Sequence, residues 1–582
     1  MRTSFPTPAL TSFKSREPVA STSWWADVAL FSLAVLLAAF IFYGLDQMSQ
    51  PLGVLDSSPL SLDLANLPEY TLRTTLRMFI ALFASFLFTV VIATLAAKSR
   101  KAAMIILPAL DILQSVPVLG FLTFTVVFFM GLFPGKQLGV ECAAIFAIFT
   151  SQVWNMTFSF YQSLRTMPND LYDVSRQFAF SPWQRFVRLE LPFATPGLVW
   201  NMMMSMSGGW FFVVASEAIT VGNTTVSLPG IGSWLALAIE QKNIAAIAWA
   251  VLAMVGVIIL YDLLFFRPIV AWADRFRFEQ TASQKRPRSR VYDLLRSTRL
   301  VPLVLLALEE IKTWLFLDKI PKLPRIRLKT SARFSRAADW VWMALVAIVC
   351  MVGIVQLSRF IGSTLGLEDV ISVFGLGLTT MLRVGVLIVL ASLFWVPIGV
   401  WIGLNPRWAE RLQPVAQLLA AFPANVLFPF AVVAIVALKL NPDIWLSPLM
   451  ILGTQWYILF NVIAGASALP TDLREAARSF HVSGWQWWRQ VALPGIFPYY
   501  VTGALTAAGG SWNASIVAEA VSWGNDHLYA SGLGSFIALA TEAGDFQRVA
   551  LGVSVMSIFV VGFNRLLWRP LYGFAERRLR ID

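Results

Sequence analysis

Two stretches of this 582-residue chain repeat each other without a gap, at an offset of 302 residues. The first runs from Asp170 to Pro192 and the second from Asp472 to Pro494 (494 − 192 = 302). Nearer the start of each half the offset becomes 306, as between Arg77 and Arg383 (383 − 77 = 306). Further matched pairs are Trp154 and Trp456, Trp183 and Trp485, Trp210 and Trp512, Glu217 and Glu519, and Gly232 and Gly534. A tandem duplication of this length predicts two copies of one fold related by an internal pseudo-symmetry axis.

The apolar content of the chain places both copies in a membrane. Hydrophobic residues make up 57% of the sequence and charged residues only 13%, and the apolar runs reach the roughly 20 residues that a helix needs to cross a bilayer. We predict an all-α, polytopic membrane protein with about 12 transmembrane helices, arranged as two six-helix repeats. The predicted spans are 24–43, 74–97, 105–131, 139–164, 196–220 and 245–266, then 339–361, 379–404, 411–437, 444–468, 498–520 and 547–567.

Polar segments divide the chain into four parts. Residues 1–23 are rich in Ser, Thr and Pro, which predicts a disordered cytoplasmic tail. Residues 24–273 form the first repeat and residues 339–582 the second, with a basic linker at 274–338 between them.

The linker carries most of the chain's net charge. Residues 275–336 contain 16 Lys and Arg against 5 Asp and Glu, a net charge of +11 (16 − 5 = 11) beside +12 for the whole chain. Basic clusters next to membrane helices contact anionic lipid headgroups more often than nucleic acid, so we expect lipid partners and no nucleic acid. Leu300 to Leu317 is apolar but interrupted by Pro302 and by charges, which favours an interfacial amphipathic helix over a thirteenth span.

The repeated stretch is too polar to lie in lipid. In the second copy, apolar residues recur at helical intervals, which predicts a short amphipathic helix at the membrane surface; they are Leu473, Ala476, Ala477 and Phe480. Basic residues of this loop and of the others fall on the same side, namely Lys98, Arg100, Lys101, Arg165, Arg267, Arg407, Arg411, Arg474, Arg565 and Arg569. Because basic loops face the cytoplasm, we expect both copies and both termini on that side.

Here the chain resembles the permeases of ABC importers, in which a cytoplasmic loop with the EAA motif forms a coupling helix that docks on the ATPase. The second copy carries the motif as Glu475, Ala476 and Ala477, with Leu493-Pro494 at the family's spacing. His481 stands at the position of the family's glycine, which puts the local turn in question, since glycine tolerates backbone angles that histidine does not. The first copy reads Asp173, Val174 and Ser175, with Ala179 at the glycine position. We therefore expect two coupling helices of unequal quality.

The fused halves look most like the duplicated permeases grouped with the nitrate, sulfonate, taurine and bicarbonate uptake systems. The resemblance implies a permease subunit in a bacterial plasma (inner) membrane that takes a small anion from an external binding protein, with two ABC ATPase subunits as partners. Fused permeases also occur in ferric-iron importers, which is the alternative substrate class. A membrane scaffold without transport activity is a third hypothesis, but a duplicated EAA loop has no role in it.

The chain shows no catalytic constellation. Gly131 to Lys136 (GLFPGK) is one residue short of a phosphate-binding loop and follows a membrane helix rather than a strand. The two histidines are isolated, and the two cysteines fall in apolar segments, so neither predicts a metal site. We expect no enzyme activity and no cofactor in this chain, with ATP bound and hydrolysed by a partner subunit.

Two carboxylates at the ends of matched predicted spans are candidates for the transport pathway. Glu217 and Glu519 are costly at membrane depth unless they face protein or water. Each is either a pathway residue or a structural one that accepts backbone N–H groups of a neighbouring broken helix. The other candidate pathway residues are Trp210, Trp512, Asn513, Gln152 and Gln455. The predicted spans place no arginine at mid-membrane, which argues against an anion, although helix N-termini can also hold anions.

Overall fold

The computed structural model describes residues 24–51, 60–114, 116–221, 224–276, 289–298, 332–467, 469–524 and 526–578. The predicted tail at 1–23, the amphipathic helix predicted at Leu300 to Leu317 and most of the basic linker lie outside the described residues.

The first half consists of nine principal helices and one hairpin within the described residues. They are α1 (Trp24–Met48), α2 (Leu67–Lys98), α3 (Arg100–Leu113), α4 (Val118–Leu132), α5 (Leu138–Arg165), α6 (Asn169–Gln177), α7 (Leu191–Glu217), strands β1 (Ala218–Val221) and β2 (Thr224–Ser227), α8 (Ile231–Glu240) and α9 (Ile244–Tyr261). Strands β1 and β2 pair antiparallel.

The second half repeats this order. It contains α10 (Ala332–Ile361), α11 (Leu367–Leu404), α12 (Pro406–Ala421), α13 (Phe428–Ala437), α14 (Ser447–Leu452), α15 (Gln455–Ser467), α16 (Thr471–Ser479), α17 (Leu493–Ala518), β3 (Ala520–Trp523), β4 (Asp526–Tyr529), α18 (Leu533–Glu542) and α19 (Phe546–Phe563). Helices α14 and α15 together correspond to α5. The duplication read from the sequence is therefore a duplication of structure.

The fold class is confirmed as an all-α, multi-pass membrane protein. Each of the twelve predicted spans contains helix in the described part of the chain, and eight helices there are long and apolar enough to cross a membrane. The count rises to nine if the bent pair Pro442–Leu452 and Gln455–Ser467 forms one span.

Two spans predicted as single helices are each broken in two. The segment 105–131 is interrupted before Pro117, and 411–437 is interrupted before Pro423. Proline has no N–H to donate to the preceding turn and disfavours helical angles in the residue before it, so the helix stops there. Helices α8 and α18 are additions that the prediction missed, because ten apolar residues are too few to suggest a span.

Proline also widens the helices next to the repeated loops. The π-helical turns Phe186–Glu190 and Trp488–Ala492 lie directly before the Leu-Pro pair that begins α7 and α17. A proline ring clashes with the carbonyl four residues earlier, and an extra residue in the turn relieves the clash. Both halves use the same solution.

Each half contributes side chains to the hydrophobic core of the other half. Val118, Leu122 and Val126 of α4 belong to the hydrophobic core of the second half, whereas Ala421 and Val426 belong to the core of the first. Within each half, α2 packs on α5 and α5 on α7, with the equivalent helices α11, α15 and α17 doing the same. The halves are therefore joined by buried apolar contacts as well as by the chain.

Candidate functional site

Helices α6 and α16 are the two predicted coupling helices. Each has nine residues and follows a proline, Pro168 or Pro470, which holds an extended backbone before the first turn. The structure thus forms a short helix at both copies of the motif, including the one whose sequence departs further from the family pattern.

Both helices end in the left-handed turn that the family's glycine would favour. Ala179 has a φ of 51° and His481 has the same value. The Phe180 N–H donates to the Ser175 carbonyl, and the Ala179 N–H donates to the Arg176 carbonyl, which together make a Schellman motif. Val482 and His481 donate in the same pattern after α16. The turn is therefore kept without glycine, at the steric cost of a Cβ in this region.

Equivalent residues of the two helices have equivalent exposure. Ser175 and Ala477 are buried against the rest of the protein. The other motif residues are exposed: Asp173, Val174, Ala179, Glu475, Ala476 and His481. Two aromatic side chains at matched positions are also exposed, Phe178 and Phe480, the second by 81%. Each helix therefore presents one carboxylate and one phenyl ring on its free surface.

Charged contacts brace the loop of the first half. The Lys98 ammonium lies 2.9 Å from the Glu190 carboxylate, which is buried, and 5.0 Å from the centre of the Phe186 ring. In the second half the matched positions hold Leu404 and Ala492 (98 + 306 and 190 + 302). The two loops are therefore held by different chemistry.

Glu217 lies in a fully buried ionic cluster, which we call the first carboxylate cluster: Thr74, Arg77, Glu141 and Glu217. The Arg77 guanidinium donates two hydrogen bonds to Glu141, at 2.6 and 2.7 Å, and one to Glu217 at 2.6 Å. The Thr74 hydroxyl donates to Glu217 at 2.7 Å. One guanidinium serves two carboxylates, and the Thr74 hydroxyl and the Gly232 N–H supply further donors to Glu217, which together make burial of the three charged groups tolerable.

The same cluster also holds the start of the short helix α8. The Gly232 N–H donates to the Glu217 carboxylate at 2.6 Å, and the Ile231 N–H donates to the Thr74 hydroxyl at 2.9 Å. A Cβ at Gly230 would collide with the Glu217 carboxylate. Glu217 thus ties the end of α7 to the start of α8, the kind of contact that the structural alternative describes.

The second half builds the matching cluster from Thr380, Arg383, Asp443 and Glu519, the second carboxylate cluster. Arg383 donates to Glu519 and to Asp443, both at 3.0 Å, and the Gly534 N–H donates to Glu519 at 2.7 Å. This cluster is less enclosed, since the Asp443 side chain is 45% exposed whereas that of Glu141 is 0% exposed.

The two arginines are residues that the prediction missed. It found no arginine at mid-membrane and gave no role to Arg77 and Arg383, which lie near the starts of the predicted spans 74–97 and 379–404 and pair with the buried glutamates. The 306-residue match between them was visible in the sequence. Their partners lie 60 to 140 residues away in the chain, so only the fold brings them together.

Four of the other candidate pathway residues contact side chains of their own half. The Trp210 indole donates to the Tyr261 hydroxyl, the Gln152 amide lies against the Met206 sulfur, and Gln455 accepts from the Trp395 indole. Trp512 stacks on Phe559.

Asn513 differs because its contact crosses between the halves. Its side-chain oxygen accepts the N–H of Val118 at the start of α4, at 2.8 Å. Among the described residues, none of the seven candidates lines either of two cavities found between the halves. Their role in the pathway stays a prediction.

Comparison with known proteins identifies the repeated unit. The model of the family described as "Binding-protein-dependent transport system inner membrane component" matches this chain twice, at residues 85–277 and 395–580. Each match contains one predicted coupling helix and one of the buried glutamates.

Individual relatives match part of the chain. The nitrate import permease protein NrtB of Leptolyngbya laminosa is 28% identical over 200 residues, which is 34% of this chain and 66% of that protein. The bicarbonate transport system permease protein CmpB of Synechococcus elongatus is 30% identical over 188 residues, or 32% of this chain and 63% of that protein. The chain thus spans just under two thirds of the length of these curated relatives.

Proposed function

The chain belongs to the family of binding-protein-dependent transport system inner membrane components, and from this premise we propose that it is the fused permease subunit of an ATP-driven importer. One observation carries the proposal: the chain holds two copies of a short helix, α6 and α16, that present matched exposed carboxylates, Asp173 and Glu475. A scaffold would have no use for a matched pair of such helices.

Each helix suits rigid docking on a separate ATPase subunit. The exposed phenyl rings of Phe178 and Phe480 supply apolar area to bury, and the carboxylates supply charge complementarity. The buried Ser175 and Ala477 anchor the helices to the membrane domain, so a movement of the ATPase would be passed to α7 and α17. Two docking helices in one chain imply two ATPase subunits for each permease chain.

The proposed orientation places α6, α16 and both termini in the cytoplasm and the hairpins β1–β2 and β3–β4 on the outer side, where a binding protein would deliver the substrate. The basic loops support this arrangement, because their order in the sequence puts them on the same side of the predicted spans as the coupling helices. The basic linker would then lie against anionic lipid headgroups.

A small anion is the proposed substrate class. The relatives named for nitrate and bicarbonate support it. Ferric iron, the alternative, would need free carboxylates. Glu217 and Glu519 are already paired with arginine and bound by backbone N–H groups, which disfavours that alternative.

Co-purification tests the proposal. The chain should be expressed with its ATPase and recovered by a tag on the permease, with Glu475→Lys as the test variant and Glu542→Lys, at the far end of the bundle, as the control. We expect Glu475→Lys to weaken ATPase binding at α16 about tenfold, the effect of roughly 1.4 kcal/mol at one docking site. Recovery should then fall toward one ATPase subunit for each permease chain, because α6 keeps its own. Normal recovery of ATPase and normal ATP hydrolysis with Glu475→Lys would contradict docking at α16.

A further inference from the structure

A small cavity lies between the two halves, at their pseudo-symmetry axis. It has a volume of about 70 Å³ and is lined by both Gly208 of α7 and Gly510 of α17, which are matched residues (510 − 208 = 302). Because the same position of both halves contributes, the axis passes through or beside this cavity. Any substrate that crosses between the halves along the axis meets these residues.

A larger cavity adjoins the small one and shares lining residues with it. Ser207 and Ala420 line both, and the larger cavity, of about 240 Å³, reaches Asp262 and Arg267 after α9, at the end of the bundle that holds the coupling helices. At the opposite end the halves are in contact. There the Gly524 N–H donates to the Ile239 carbonyl at 3.1 Å, and the Lys242 ammonium pairs with Asp526 at 3.0 Å.

The described lining of the small cavity carries no charged side chain, and one polar group in it is free. The Tyr457 hydroxyl has no hydrogen-bond partner among the described residues. A Cβ at Gly208 would lie 3.1 Å from this hydroxyl, so Tyr457 of the second half reaches the backbone of the first. The Ser207 and Thr454 hydroxyls are already engaged, with the Met203 carbonyl and the Ser511 hydroxyl.

We propose that Tyr457 is the residue that selects the transported ion in this cavity, by donating its free hydroxyl to a small, singly charged hydrogen-bond acceptor. The inference rests on the proposed function and adds a specificity residue to it. The lining offers no counter-charge, and the desolvation cost rises with the square of the ionic charge, so a singly charged ion is favoured over a multiply charged one. A volume of about 70 Å³ holds only a few water-sized groups, so the ion must be small.

The paired glycines keep this space open. At Gly208 an added methyl group would press on the Tyr457 hydroxyl, and at Gly510 it would lie 2.5 Å from the Thr454 methyl group. Gly208→Ala is therefore expected to obstruct the cavity, and it provides a second variant that acts on the same place without removing the hydroxyl.

The test uses the complete importer, the chain with its ATPase and binding protein, in proteoliposomes. Nitrate, bicarbonate and ethanesulfonate serve as probes, and Tyr457→Phe is compared with Tyr500→Phe. Tyr500 is the matched control because its hydroxyl bonds Ser392 and lines neither cavity. We expect Tyr457→Phe to lower uptake of the accepted probe about tenfold or more, as for a lost hydrogen bond to a charged group, with ATP hydrolysis and thermal stability retained. Gly208→Ala should lower uptake as well, and Tyr500→Phe should not.

Unchanged uptake in Tyr457→Phe, or an equal loss in Tyr500→Phe, would overturn the inference. If the wild-type complex hydrolyses ATP in response to its binding protein but transports none of the three probes, the ion class is wrong and the inference falls, while the permease function stands. If the chain recruits no ATPase at all, the proposed function itself has failed.

Discussion

The two halves of this molecule share the buried cluster that joins a short helix to a long one, and they differ in the loops that carry the repeated motif. Both build a buried cluster of Arg, Thr and Glu that fixes a short helix to the end of a long one. Their coupling loops diverge: the second half keeps the Glu-Ala-Ala motif, whereas the first has lost it but braces its loop with Lys98 and Glu190. A cluster of buried charges resists change in either copy, because a buried charge without its partner is destabilising.

The largest expected difference between the halves is in how much each carboxylate cluster contributes to the free energy of unfolding. Arg77→Met should lower the free energy of unfolding by about 3–5 kcal/mol, because it leaves Glu141 and Glu217 buried without a counter-charge. Arg383→Met should cost clearly less, since water reaches the partly exposed Asp443. Thermal unfolding of the detergent-solubilised protein would measure both.

Arg548→Met, which breaks an exposed ion pair with Asp545, is the control and should cost less than about 1 kcal/mol. Equal losses for Arg77→Met and Arg383→Met would show that the difference in enclosure has no energetic consequence.

The brace of the first loop gives the next largest effect. Lys98→Leu alone should cost about 1.5–3 kcal/mol, because the buried Glu190 loses its charged partner. Adding Glu190→Ala reproduces the apolar pair of the second half, Leu404 and Ala492, and should recover most of that loss. A double variant no more stable than Lys98→Leu would argue that the brace is not an isolated ionic contact.

One matched tryptophan lacks the partner that its counterpart has. Trp210 donates to Tyr261, but the position matched to Tyr261 is Phe563 (563 − 261 = 302), and the Trp512 indole N–H is buried without a partner among the described residues. Phe563→Tyr should stabilise the protein by about 1 kcal/mol, and Tyr261→Phe should destabilise it by a similar amount. A loss of stability in Phe563→Tyr would mean that the second half has no room for the hydroxyl.

The smallest expected effects concern the turns after the coupling helices. Ala179→Gly should raise the free energy of unfolding by about 0.5–1 kcal/mol, because glycine adopts a positive φ without steric cost. His481→Gly should gain less, since histidine tolerates this region better than alanine does. If neither variant changes the melting temperature, the turn is not under strain in the assembled bundle.

The sequence predicted the features that are periodic or repeated along the chain. It did not predict contacts between residues that lie far apart in the chain. The duplication and the helical fold followed from the 302-residue register and the long apolar runs, and a short helix lies at both copies of the motif, as predicted. The contact between Arg77 and Glu217 did not follow, because residues 140 positions apart carry no local pattern. The ten-residue helices α8 and α18 were missed because their stability comes from the clusters that cap them, not from a span-length apolar run.

Cysteine cross-linking tests most directly whether both predicted coupling helices contact an ATPase. Single cysteines at Val174 and Ala476, in a background with Cys142→Ala and Cys350→Ala, would be treated with a short cross-linker in the assembled complex. We predict a cross-link to an ATPase subunit from each position, and none from Ser363→Cys in the exposed turn between α10 and α11. Cross-links from neither helix, or equal cross-linking from Ser363→Cys, would contradict the claim that the duplicated loops are two docking sites.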